Sequence, residues 1–185
     1  MIRVLLVEDD PFWQESISTD LSKEQDIIVT GVVSTKEEAV EAVKASRIDV
    51  ILMDINLTEN NLDGIEAAKE IKRIGQHNII MLSSLNDKDV VIQSFKQGAV
   101  NYITKSSYKD ILKAIREAFH NSSSIHADAA NIMRTEMILS DLTPSEREIY
   151  ELKKQGYNKT QISQMLYKSI NTIKTQLRSI RDKLM

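Results

Sequence analysis

The stretch DVILMDINL, Asp49 to Leu57, holds a short apolar run, Val50 to Met53, that stops on a carboxylate, Asp54. Four consecutive hydrophobes between polar residues predict a strand buried on both faces, as in a parallel sheet. An ionised carboxylate just past such a strand is costly unless something pairs with it or uses it. Working outward, four further runs read the same way: IRVLLV (2–7), DIIVTGVV (26–33), NIIML (78–82) and VNYIT (100–104). Helix-like stretches with readable ends lie between them. Asp10 caps a helix that begins at Pro11, and Ser34 with Glu37 suggests a capping box. Asp87 caps KDVVIQSFKQ, Gly98 stops it in a left-handed position, and Ser107 is placed to cap YKDILKAIREAF. Five rounds of strand then helix predict an α/β fold, a doubly wound five-stranded parallel sheet, over residues 1–120.

Composition bounds the alternatives. The 185 residues are 42% hydrophobic and 28% charged, enough to bury a core. No apolar stretch is long enough to suggest a membrane span. The N-terminus MIRVLLVEDD lacks the pattern of a secretory signal. With no cysteine there is no disulfide framework, thiolate metal site or cysteine nucleophile. A soluble cytoplasmic protein is the expectation. The net charge of −3 is unevenly spread: −6 over residues 1–120, −2 over 121–141 and +5 over 142–185. An acidic body followed by a basic tail suggests two modules, the second facing a polyanion.

In open parallel sheets the functional crevice lies beyond the carboxyl ends of the strands. Here those ends carry Glu8 and Asp9, then Asp54, then Ser83 and Ser84, then Lys105. One Asp after a strand is ordinarily a cap or turn former; this set, at four strand ends, is not explained that way. Crowded carboxylates raise one another's pKa unless a cation joins them, and all-oxygen ligation with room for water suits Mg²⁺. A lysine and a hydroxyl opposite the metal are what a phosphoryl group needs on its other oxygens. Asp54 is then a nucleophile that accepts phosphate as an acyl phosphate.

VLLVEDDP, DVILMDINL, DGIEAAKEI, IIMLSS and GAVNYITKS together resemble the receiver domain of bacterial two-component response regulators, across residues 1–120. The resemblance implies phosphotransfer from a sensor histidine kinase onto Asp54. It places Mg²⁺ on Glu8, Asp9, Asp54 and the main-chain oxygen of Asn56. Ser83 and Lys105 match the switch hydroxyl and phosphate-binding lysine, and Tyr102 the switch aromatic. Two features depart from the pattern. Asp63 and Gly64 stand nine and ten residues after Asp54 rather than seven and eight, so TENN (58–61) reads as a loop expansion, and Ser106 replaces a usual proline. An aspartyl phosphohydrolase of the haloacid-dehalogenase kind would need a second aspartate two residues on; Asn56 stands there, and an amide does not shuttle protons. No enzyme activity is expected.

Residues 142–185 predict a small all-α domain. LTPSEREIYEL opens with Thr143, Pro144 and Glu146, a capping box. A short second helix follows a glycine stop, and a third carries Ile170, Ile173, Leu177, Ile180 and Leu184 on one face, with Asn171, Lys174, Thr175 and Arg178 on another. The segment resembles the LuxR-type helix-turn-helix of NarL/FixJ response regulators. That implies contacts from Lys174, Thr175 and Arg178 to bases or phosphates of double-stranded DNA, with Thr172 and Lys159 on the backbone. Lys168 replaces a usual apolar residue. Members continue into a fourth, pairing helix beyond the position of Met185. Residues 121–141 read as a partly helical linker, and 124–142 as a helix that packs on the helix-turn-helix or dimerises in place of that element.

The function expected is a phosphorylation-switched DNA-binding transcriptional regulator that forms a homodimer when phosphorylated. The alternative is a phosphoacceptor switch whose C-terminal helices bind a protein. Trp13 is expected to be partly packed near the pocket. His77, His120 and His126 have no metal-ligand spacing and receive no role.

Overall fold

The computed structural model describes residues 1–58, 62–84, 86–122 and 124–185. Of the expanded loop TENN, residues 59–61 lie outside the described residues. The chain divides into two compact units, Met1–Ile132 and Met133–Met185.

The first unit alternates β1 (Ile2–Val7), α1 (Pro11–Ser22), β2 (Ile27–Val33), α2 (Lys36–Ala45), β3 (Val50–Asp54), α3 (Asp63–Ile74), β4 (Asn78–Ser83), α4 (Lys88–Lys96), β5 (Ala99–Thr104) and α5 (Ile111–Phe119). The five strands form one parallel sheet in the order β2-β1-β3-β4-β5. All five residues of β3 are buried, as a central parallel strand covered on both faces must be. Asp54 is the last residue of that strand rather than the residue beyond it. Val4, Leu6, Leu52, Ile80 and Leu82 face Ile17 and Leu21 of α1 and Ile115 of α5 across one side. At the amino end, the Arg3 guanidinium grips Asp49 with two bonds, 2.9 and 2.7 Å, while its own backbone N–H donates to the same carboxylate at 2.9 Å. This fork, the strong geometry for an Arg–carboxylate pair, fixes β1 against the entry to β3.

The helix ends show where local sequence decided. Asp10 accepts from Phe12 N at 2.9 Å, and Asp87 caps α4 through Asp89 N and Val90 N. Gly98 has φ +103°, a left-handed position open to glycine. Two caps differ from expectation. The box on α2 is formed by Thr35 and Glu38, one residue later than Ser34 and Glu37, and the Glu38 carboxylate also takes the Ser34 N–H at 2.8 Å. Ser107 does not cap α5. Residues Lys105–Asp110 form a 3₁₀ segment first, which carries Lys105 inward before the α-helix begins.

Gly64, at the start of α3, sits against the site-bearing strand. Its N–H donates to Ile55 O at 3.0 Å, and a Cβ added there would stand 1.9 Å from the Asp54 carbonyl oxygen. Backbone, not a yielding side chain, is what it would strike.

In the second unit, α7 (Pro144–Lys154), α8 (Lys159–Met165) and α9 (Ile170–Leu184) enclose Ile149, Ile162, Ile173 and Ile180. α6 (Ala127–Leu139) begins in the first unit and ends in the second, where Leu139 joins that core and Glu136 pairs with Arg147. Of the apolar face expected on α9, Ile173 and Ile180 are buried and Leu177 and Leu184 pack on the same core, while Ile170, in the first turn, is 42% exposed. Glu146 is buried yet well supplied. It completes the Thr143 capping box and accepts from Ser179 Oγ at 2.6 Å and Lys183 Nζ at 2.7 Å. Among the described residues, no helix is long and apolar enough to cross a membrane.

Two outcomes are expected. Gly64→Ala should destabilise the first unit by about 3 kcal/mol, the upper end of ordinary overpacking, measured by denaturant unfolding. Lys183, Ser179 and the Thr143 N–H hold the Glu146 carboxyl down at about 2, so its stabilising contribution is present above its ordinary value and is lost as pH falls toward about 2. A carbon-detected NMR titration of Glu146 should show that depressed midpoint; an ordinary carboxylate midpoint would contradict the network.

Candidate functional site

The strand ends deliver the site. β1 and β3 are neighbours at the point where the strand order reverses, so Glu8 and Asp9 emerge beside Asp54. Leu82 lies opposite Asp54 in register, which puts Ser83 at the same edge. Lys105 follows the end of β5 and reaches back across β4. Its Nζ lies 2.7 Å from Glu8 Oε2 and 3.1 Å from Asp54 Oδ1. Glu8 is fully buried, Asp54 and Lys105 are nearly so, and Asp9 is exposed. The site is thus a charge cluster sealed on the sheet side and open at Asp9.

Two carboxylates share one buried ammonium, and their protonation reflects the shortfall. Burial, reinforced by the Asp54 charge, pushes the Glu8 carboxyl up to about 7 against the pull of Lys105. Burial likewise raises Asp54, opposed by Lys105 and by the Asn56 N–H, which donates to Asp54 Oδ2 at 3.2 Å. Burial alone would lower Lys105; Glu8 and Asp54 outweigh it, so the lysine stays charged. The cluster therefore has negative charge to spare. Glu8, Asp9 and Asp54 can each bring one oxygen to within 4.8 Å of the others, a hard all-oxygen donor set. That set fits a small divalent cation.

Ser83 is buried, and its side chain shares a hydrogen bond with the fully buried Tyr102. Burial raises the Tyr102 phenol. The exposed Asn56 follows at the mouth. The structure thus gathers Glu8, Asp9, Asp54, Ser83, Tyr102 and Lys105 at the carboxyl edge. It adds a contact that periodicity gives no sign of: the Trp13 indole lies with its centroid 5.4 Å from Lys105 Nζ, the range of a cation–π contact, and packs edge-on to Tyr108.

In the second unit, Thr143, Asn158 and Ser169 each cap the helix that follows. Lys159 opens α8, and Thr172, Lys174, Thr175 and Arg178 lie along α9, all exposed. Thr175 is partly committed, its hydroxyl donating to Asn171 O at 3.0 Å, and Thr172 Oγ1 shares a bond with Ser169 Oγ. Lys168 is used internally: its ammonium donates to Ser145 Oγ at 2.5 Å, and its backbone oxygen accepts from Ser163 Oγ, which closes the turn before α9.

Glu8→Gln should test the charge shortfall. The raised Glu8 value means that its ionisation opposes folding as pH rises from its ordinary range through about 7. In metal-free buffer at pH 8 the variant should be more stable than wild type by about 2 kcal/mol, with no gain at pH 4.5, by denaturant unfolding.

Residues 4–116 match the family model described as the response regulator receiver domain. The chain is 32% identical over 190 residues to the response regulator protein VraR of Staphylococcus saprophyticus, covering 99% of this chain and 90% of that protein. The receiver is also similar to the response regulator domain of Thermotoga maritima CheB, at 33% identity and TM-score 0.59, over 65% of this chain and 97% of that one. Across both units, a fold likeness to RcsB in its DNA complex has TM-score 0.68 at 23% identity, covering 99% of this chain and 91% of that one. With its receiver fold, its edge cluster around Asp54 and a three-helix C-terminal unit, the chain belongs to the response regulators, and within them to the NarL/FixJ type.

Proposed function

We propose that this chain is a phosphorylation-switched DNA-binding transcriptional regulator of a two-component system, acting in the cytoplasm. Residues 1–120 serve as receiver, 121–141 as linker and 142–185 as the DNA-binding helix-turn-helix. The observation that carries this reading is the reach of Lys105 to both Asp54 and Glu8 at one sheet edge.

An Asp54 oxygen attacks the phosphorus of a phosphohistidine on the partner kinase. The P–N bond breaks, the imidazole leaves, and an acyl phosphate forms on Asp54. Mg²⁺ held by Glu8, Asp9, Asp54 and the main-chain oxygen of Asn56 would supply charge neutralisation there. Lys105 turns its ammonium from Glu8 to a phosphoryl oxygen, and the Ser83 hydroxyl donates to another. Tyr102, bonded to Ser83, follows it, so charge at Asp54 becomes a packing change at β5. Asn56 leaves the site without a second aspartate to act as proton shuttle, which supports a switch rather than a phosphohydrolase.

For the output, Lys174, Thr175 and Arg178 present an exposed basic stripe on α9, and Lys159 and Thr172 flank it. Lys174 and Arg178 have no acidic partner within 4.0 Å among the described residues, which leaves their charge for phosphates or base edges. RcsB, which shares this fold, is solved as dimers on DNA; that supports duplex DNA as ligand and a homodimer as the bound state. A second reading, a protein-binding tail, is favoured by the exposed Met165, Tyr167 and Ile170 around the α8–α9 turn.

Asp54→Asn should abolish labelling from acetyl phosphate; labelling at wild-type stoichiometry would refute the site. Lys174→Ala with Arg178→Ala should leave labelling intact and lower the salt dependence of duplex DNA binding by about two phosphate contacts, read as the slope of log K against log salt. An unchanged slope would favour the protein-binding reading.

A further inference from the structure

Among the described residues, four helices are stopped by a residue with positive φ: α4 by Gly98 (+103°), α5 by Asn121 (+52°), α7 by Gly156 (+96°) and α8 by Tyr167 (+53°). The stops after α7 and α8 are the same two-bond turn. Gly156 N donates to Lys153 O at 3.1 Å and Tyr157 N to Leu152 O at 3.2 Å. One helix later, Tyr167 N donates to Gln164 O at 3.4 Å and Lys168 N to Ser163 O at 3.1 Å. Glycine, with no Cβ, adopts this backbone freely, and asparagine is the usual second choice. Tyrosine gains no such relief, because its Cβ crowds the following carbonyl oxygen. The chain meets one geometric demand with glycine after α7 and with a bulky ring after α8.

Internal packing does not explain that choice. Tyr167 is 97% exposed, whereas the other four tyrosines are buried or half-buried. Its neighbours fix it in place. Leu166 packs on the core, the Lys168 ammonium donates to Ser145 Oγ of α7 at 2.5 Å, and the Lys168 carbonyl accepts from Ser163 Oγ at 2.5 Å. Two residues on stands Ser169, the N-cap of α9, the helix that carries Lys174, Thr175 and Arg178. The surrounding charge has one sign: residues 152–181 hold seven Lys and Arg and no Asp or Glu. Such a field selects a polyanion as the neighbour of this ring.

We infer that Tyr167 is a DNA-contacting residue, its phenol O–H donating to a backbone phosphate of the duplex beside the groove that α9 enters. This rests on the DNA-binding reading of the second unit. A recognition helix enters the major groove with its N-terminal residues leading, so the turn just before it passes close to the sugar-phosphate backbone. Tyrosine is among the side chains that reach phosphate oxygens, and a bond to an ionised oxygen is stronger than one between neutral groups. The left-handed backbone is the local cost of presenting the ring from a rigid turn. The contact carries no charge, so it adds affinity without releasing a counterion.

The test is binding of the full chain to a mixed-sequence DNA duplex over a salt series, with Mg²⁺ and beryllofluoride, alongside amide hydrogen exchange of α8 and α9. Tyr167→Gly relieves the backbone, so exchange in both helices should slow about fivefold. The same variant should bind the duplex about tenfold more weakly at each salt concentration. Tyr167→Phe keeps the ring and the backbone and loses only the donor; it should exchange like wild type and bind about tenfold more weakly. In both variants the slope of log K against log salt should match wild type. A Tyr167→Gly chain that binds as tightly as wild type overturns the inference alone and leaves the exposed ring to a protein partner. Exchange that does not slow in that variant removes the strain on which the inference stands. A Tyr167→Phe chain that binds like wild type overturns the phosphate contact, and so does a flattened slope in either variant, since α9 itself would then have shifted. A wild-type chain that binds no duplex at any salt overturns the DNA-binding reading and the inference with it.

Discussion

One buried ammonium, Lys105, is shared between two carboxylates from two other strands. The bridge forms only if β1, β3 and β5 end at the same height, so it tests the register of the whole sheet. It also leaves the site short of positive charge, since Glu8 sits in the interior at about 7 and Asp54 is raised above its ordinary value. Such an arrangement stabilises the fold less than an apolar core would. The proposed function draws on that shortfall: the uncompensated negative charge suits a cation near Asp9 and, with it, a phosphoryl group on Asp54.

The two units contain two buried glutamates with opposite fates. Glu146 is supplied by Lys183, Ser179 and the Thr143 N–H and is held at about 2. Glu8 has half of one lysine, one backbone N–H at 3.2 Å and an acidic neighbour. The first is a structural carboxylate whose needs are met inside the fold. The second is poised, because its environment leaves the charged form under-compensated. Environment, not residue type, separates a strut from a site.

Steric demands tie the helices to this chemistry. α3 approaches so closely that only a glycine fits between its first turn and the Asp54 carbonyl. The indole of Trp13 bounds the Lys105 ammonium from α1, with a surface that attracts a cation without accepting its proton. The linker lies along β5, where Asp128 accepts the Thr104 N–H and the His126 N–H donates to Asn101 Oδ1.

The sequence by itself determined the order and number of the main elements, because each was encoded locally. The four-residue run Val50–Met53 reads as a buried strand wherever it is placed, and Asp10, Asp87 and Thr143 cap helices through N–H groups two or three residues away. Glu8, Asp9, Asp54, Ser83 and Lys105 were legible as one site because strands of a parallel sheet end together. Where two local choices were nearly equal, as between Ser34 and Thr35, the sequence pointed one residue astray: Thr35 forms the box, and Ser34 Oγ accepts from Gln14 Nε2 at 3.0 Å. The 3₁₀ segment Lys105–Asp110 after β5 was not read from the sequence, which placed Ser107 as the cap of a helix that begins at Ile111. Tertiary structure alone decided that Trp13 meets Lys105 and that Asp128 meets Thr104, 24 residues away. Neither pair has a period or a motif, because their partners are set by the path of the folded backbone and not by chemistry along the chain.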